Sequence, residues 1–132
     1  MTHNASGRFE LTLTPASGNV AAEDAGVTRY LLEKQYRGDL EGTGVGEMLT
    51  LDTASEDSGA YVAIERIDAR LDGRSGTFAL QHSGTVERGF ERLTITVVPD
   101  SGTGELEGIQ GRISITIFND EHLYELEYSL PD

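Results

Sequence analysis

The sequence predicts an all-β domain, a sandwich or a barrel of about eight strands. Three observations lead there. Apolar and polar residues alternate along most of the chain, which is the period-two pattern of strands with one buried face. Turn-forming residues, among them 16 glycines, separate the alternating runs without any low-complexity stretch. No segment holds a helical period beyond two turns, and Val20 to Asp24 has room for one turn only.

The strands follow in order. Phe9, Leu11 and Leu13 alternate with Glu10, Thr12 and Thr14 up to Pro15, and the stretch from Ala16 to Gly26 is small and polar. Tyr30, Leu32, Lys34 and Tyr36 share one parity in the second strand. Gly42, Gly44 and Gly46 lead into Leu49 and Leu51 in the third. The fourth sets Tyr61, Ala63, Ile67 and Leu71 opposite Val62 and Ile64; Phe78 and Leu80 mark the fifth. Leu93, Ile95 and Val97 form the sixth, Ile113, Ile115 and Ile117 the seventh, and Tyr124, Leu126, Tyr128 and Leu130 the eighth. Several strands are apolar on part of both faces, so they are buried inside a barrel and against something outside it, or they form a subunit interface; a homo-oligomer is expected. The triplets Leu40-Glu41-Gly42, Leu71-Asp72-Gly73 and Leu106-Glu107-Gly108 read as three similar hairpin turns, because glycine accepts positive φ after an acidic residue.

At 132 residues the chain makes one domain, residues 1–132, with residues 1–6 expected as a flexible N-terminus. A hydrophobic content of 37% supplies a real core. The absence of cysteine excludes disulfides, Cys-bound zinc, iron–sulfur clusters and thiol catalysis. A net charge of −13 argues against nucleic acid or an anionic membrane as partner. No apolar run is long enough to span a bilayer, and the opening residues lack the signature of a secretory leader. The expected location is the cytoplasm.

Glu65 and His82 are the candidate chemistry. Each interrupts an apolar face: Glu65 shares parity with Tyr61, Ala63 and Ile67, and His82 with Phe78 and Leu80. A four-residue turn over Asp72 to Ser75 would set them directly opposite. A two-residue turn keeps them on one face but offset, and a three-residue turn pairs Glu65 with Gln81. A carboxylate beside an imidazole in an apolar setting can move a proton at neutral pH; the plainer alternative is a buried structural pair. His122 reads as a turn residue at the start of the last strand, and His3 as part of a frayed terminus. Neither the His-x-His nor the His-x-x-x-His spacing occurs, so no metal and no cofactor are expected. Ser101-Gly102-Thr103-Gly104 lacks the Gly-Lys-Ser/Thr ending of a phosphate loop and reads as a hairpin loop.

Several strings then read together: Tyr36-Arg37-Gly38-Asp39-Leu40-Glu41-Gly42, Tyr61-Val62-Ala63-Ile64-Glu65, Phe78-Ala79-Leu80-Gln81-His82-Ser83-Gly84 and Ser101-Gly102-Thr103-Gly104-Glu105-Leu106. In these the chain resembles the bacterial family of unknown function DUF3224, from about residue 7 to residue 130. Many relatives carry a Trp near the end of the first strand, where this chain has Leu13-Thr14-Pro15. The resemblance implies an eight-stranded antiparallel β-barrel like that of the plant allene oxide cyclases. It also implies association as a dimer or a trimer, and it implies no established activity.

The expected function is binding of a small apolar molecule in the barrel lumen, with Tyr36, Tyr61, Phe78, Leu80, Gln81 and Tyr128 lining the pocket. On that reading the protein is a cyclase or isomerase, Glu65 its acid or base, and His82 and Gln81 orient or share the proton. The alternatives are a non-catalytic carrier, and a structural or interaction module whose barrel is filled.

Overall fold

A computed structural model describes all 132 residues. Eight strands form a closed antiparallel barrel in which each strand pairs with its sequence neighbours and β8 returns to β1. They are β1 (Thr2–Ala16), β2 (Val27–Gly38), β3 (Leu40–Asp52), β4 (Gly59–Leu71), β5 (Arg74–Glu87), β6 (Phe90–Val97), β7 (Gln110–Phe118) and β8 (Glu121–Ser129). Closure removes the exposed edges that an open sheet would present. The one helix, α1 (Val20–Asp24), is a single turn capped by the Asn19 side chain, which accepts from the amides of Ala21 and Ala22.

Residues 2–6 depart from the expected flexible terminus. Thr2 to Phe9 pair with Ser129 to His122, so the first half of β1 closes the barrel. Its second half, Gly7 to Ala16, pairs with β2. His3 stacks near Tyr128, with ring centroids 5.3 Å apart.

The two ends of the barrel differ. One end is plugged: Leu40, Leu71, Phe78, Leu106 and Leu126 are fully buried there. The three Leu-acid-Gly triplets explain themselves at this end, though not as three hairpin turns. Only Asp72-Gly73 is a two-residue turn, with both φ angles positive (49° and 88°), the mirror-image geometry that suits strand twist. Leu40–Gly42 opens β3, and Leu106–Gly108 lies in the β6–β7 connection. The shared feature is the leucine, which each triplet delivers into the plug.

That connection is also more than a hairpin loop. It lies along β5 where β6 stops. The Ala79 amide donates to Ser101 Oγ at 3.0 Å, the Thr77 amide to Thr103 Oγ1 at 3.1 Å, and the Ser75 amide to Glu105 Oε1 at 3.0 Å. Its last turn, Gly104–Leu106, is a 3-10 turn that seats Leu106.

At the other end the inward side chains Tyr30, Met48, Tyr61, Leu93 and Ile115 are only half-buried. Here the wall is also incomplete. β6 and β7 share one bridge pair, Thr96 with Arg112, whereas the other seams are paired over eight or more positions.

Candidate functional site

Between plug and open end the core contains a polar cluster. Lys34, Glu65 and His82 are the buried charged or ionisable polar residues of the molecule, and Tyr36 joins them. Strand alternation turns all four inward: Lys34 and Tyr36 from β2, Glu65 from β4, His82 from β5. The two-residue turn at Asp72-Gly73 sets the register, pairing Glu65 with Leu80 and Ala63 with His82. Glu65 and His82 are thus on one face, offset by two positions, as a two-residue turn requires.

The Glu65 carboxylate collects three partners. Lys34 Nζ donates to Oε1 at 3.1 Å and His82 Nε2 lies 2.9 Å from the same oxygen. The Tyr36 hydroxyl donates to Oε2 at 2.5 Å. Space for the carboxylate comes from β3. A Cβ at Gly44 would stand 2.0 Å from Glu65 Oε2, so only glycine leaves the pocket open. The Lys34 ammonium also lies 4.7 Å from the Phe9 ring centroid, a cation–π contact.

Charge follows from these contacts. Burial pushes the Glu65 carboxyl upward, but the His82 hydrogen bond, the Lys34 charge and the Tyr36 hydroxyl together hold it below its ordinary value. Burial lowers the Lys34 ammonium, against the pull of Glu65. Burial first, and then the Glu65 charge, drive the Tyr36 hydroxyl well above its usual range. The cluster therefore holds an ionised carboxylate and a neutral phenol. With the carboxylate ionised, His82 Nε2–H donates to Oε1.

The other expected pocket residues are dispersed. Phe78 and Leu80 are fully buried core. Tyr61 lies at the open end, its ring packed over Gly84, where a Cβ would stand 2.4 Å from Tyr61 Cε1. Tyr128 belongs to the plug, and its hydroxyl donates to Asp72. Gln81 neither orients nor shares the Glu65 proton. It follows Leu80 and precedes His82 on a regular strand, so it faces outward and is exposed. His122 stacks on Phe9, with centroids 5.1 Å apart, and is not near His82's carboxylate partner.

Lys34 is the member of the cluster that sequence reasoning left unassigned. Its signal was present: it is the sole lysine of the chain, and it sits on the parity of Tyr30, Leu32 and Tyr36.

The family model "Protein of unknown function (DUF3224)" matches residues 5–128. The chain belongs to the DUF3224 family. A crystal structure of a DUF3224 protein of unknown function from Shewanella oneidensis MR-1 is similar at 40% identity, with a TM-score of 0.93 over 100% of this chain and 99% of that one. A search of proteins of curated function gave no match. The DUF3224 resemblance read from the sequence is thereby confirmed, and with it the eight-stranded barrel. In this DUF3224 barrel no helix is long and apolar enough to cross a membrane.

Proposed function

We propose that the barrel binds a small apolar molecule at its open end and transfers a proton on it, as an isomerase or cyclase does. The observation that carries this is the β6–β7 seam. A groove of about 440 Å³ lies along it, floored by inward Leu93, Ile95 and Ile113 and rimmed by outward polar residues, Thr96, Arg112, Glu125 and Glu127 among them. Ile95 is in register with His82, so the floor of the groove packs beside the polar cluster.

The geometry supports a division of labour between the two residues. A carboxylate saturated by three donors and held below its usual range is a weak base. Its stronger role is to fix the tautomer and orientation of His82, leaving Nδ1 to take a proton from the ligand. Comparison with the cyclisation performed in allene oxide cyclase barrels is analogy at the level of fold.

A carrier would use the same groove without turnover. The filled-barrel reading is favoured by a different observation: no buried side-chain nitrogen or oxygen lacks a partner, so the cluster is also a complete structural network.

Titration with N-phenyl-1-naphthylamine, a neutral apolar fluorophore, separates these readings. Saturable enhancement in the wild type that is lost in Leu93→Trp, which fills the seam, is the expected result. No saturable binding, together with native and denatured mass spectra that agree on an unliganded chain, would sink the binding reading in favour of the filled barrel.

A further inference from the structure

We propose that Lys34 is a covalent site, forming an imine with the carbonyl carbon of an apolar aldehyde or ketone held in the barrel. The proposal rests on the binding reading above and adds the chemical class of the ligand. Four features of the site carry it. The amine is buried in the core beside Phe9 and Leu11, its partner across the β1–β2 ladder. A carboxylate stands 3.1 Å away as a ready counter-ion. An imidazole nitrogen lies 2.9 Å from that same carboxylate oxygen and holds it in place to take the ammonium proton. Finally, desolvation weakens the hold of the amine on its proton, as it does for Schiff-base lysines in general.

The chemistry balances within the cluster. Lys34 passes a proton to Glu65, and the free Nζ attacks the carbonyl carbon. A C–N bond forms, and the C=O π pair moves to oxygen, which takes up that proton. The nitrogen then gives a second proton to the same oxygen by way of Glu65, and the oxygen departs as water while the freed nitrogen lone pair closes the C=N bond. The net change is one ammonium and one carbonyl giving one iminium and one water. The iminium keeps its positive charge against Glu65, so the charge of the pair is conserved. An iminium acidifies the neighbouring C–H, and His82 Nδ1 is the group that would receive that proton.

The chain makes the test clean, because Lys34 and the N-terminus are its only amines. The folded protein is incubated with octanal and sodium cyanoborohydride, and the octylated peptides are mapped against time. Lys34 should be alkylated on the order of tenfold faster than in urea-unfolded protein, and Glu65→Gln should slow it. In parallel, native mass spectra record non-covalent uptake of 1-octanol, which has the same chain and no carbonyl. Octanol uptake without Lys34 alkylation overturns the imine and leaves the binding reading standing. Neither uptake nor alkylation overturns both. Alkylation no faster in the folded than in the unfolded chain also overturns the imine, since the site then adds nothing to a bare amine.

Discussion

Glu65 is fully buried and yet ionised, and its pH dependence follows. Its folded-state value lies below the ordinary 4.5, so between the two values the unfolded chain binds more protons than the native one. Stability then rises with pH across that window. The contribution of Glu65 is fully present above about pH 4.5 and is lost as pH falls through the lower, folded value. Urea midpoints measured from pH 6 down to pH 2 should fall steeply in the wild type and less steeply in Glu65→Gln. Parallel curves would show that Glu65 does not carry the acid transition. At neutral pH the same substitution leaves Lys34 without its counter-charge, and the expected loss is about 3–5 kcal/mol. At the alkaline end the sign reverses. Tyr36 is raised well above 10, and Tyr124 and Tyr128 are raised to about 12. The folded state there holds protons that the unfolded chain releases, so stability drops above about pH 10.

At the scale of elements, β3 and the β6–β7 connection position the cluster without touching a ligand. Gly44 is the sharpest case. Ala at this position must displace the Glu65 carboxylate, and overpacking of this kind costs about 1–3 kcal/mol. Gly44→Ala should therefore lower the urea midpoint and flatten the acid transition together. A lower midpoint with the wild-type acid slope would mean that the carboxylate kept its partners. Leu106→Ala attacks the plug instead. It should cost about 2–5 kcal/mol and leave the acid slope unchanged; a loss under 1 kcal/mol would show that the connection does not seal the barrel. These two positions also mark what the sequence made legible. Alternation was sufficient to find the eight strands and to turn Glu65 and His82 to one face, because period-two burial is a local property. Whether they met depended on the length of one turn, and only the structure decides that. Gly42, Gly44 and Gly46 read as a Gly-rich approach to a strand, whereas they are the inward side of β3, and Gly44 is left bare so that Tyr36 of β2 and Glu65 of β4 can meet. Lys34 was passed over because a charged residue on an apolar parity looks like a surface exception until its partner on another strand is known. Gln81 meets Glu65 only if the turn has three residues; the two-residue turn pairs it with Ile64 and turns it outward.

At the scale of the whole molecule, the outer wall of β2, β3 and β4 carries Leu31, Val45, Leu49, Leu51, Val62 and Ile64, each between 41% and 60% exposed. We infer that this wall receives a second copy of the chain. A contiguous apolar patch with a polar rim marks an interaction face. Charge is balanced here. Two copies at −13 each repel, but the charged outward residues of this wall are Arg29, Arg37, Arg66 and Arg70 against Glu33, Glu41, Glu47 and Asp68, four of each sign. Arg29 and Glu47 already form an ion pair at 2.5 Å beside the groove of about 510 Å³ that holds Leu49 and Val62. A basic and an acidic group side by side are self-complementary about a two-fold axis. Light scattering coupled to gel filtration should give twice the 14.3 kDa chain mass for the wild type. Leu49→Glu and Val62→Glu should run as monomers with unchanged urea midpoints, because both side chains lie outside the core. A monomeric wild type would reassign this wall to a different protein, and an assembly that survives both substitutions would place the contact elsewhere on the barrel.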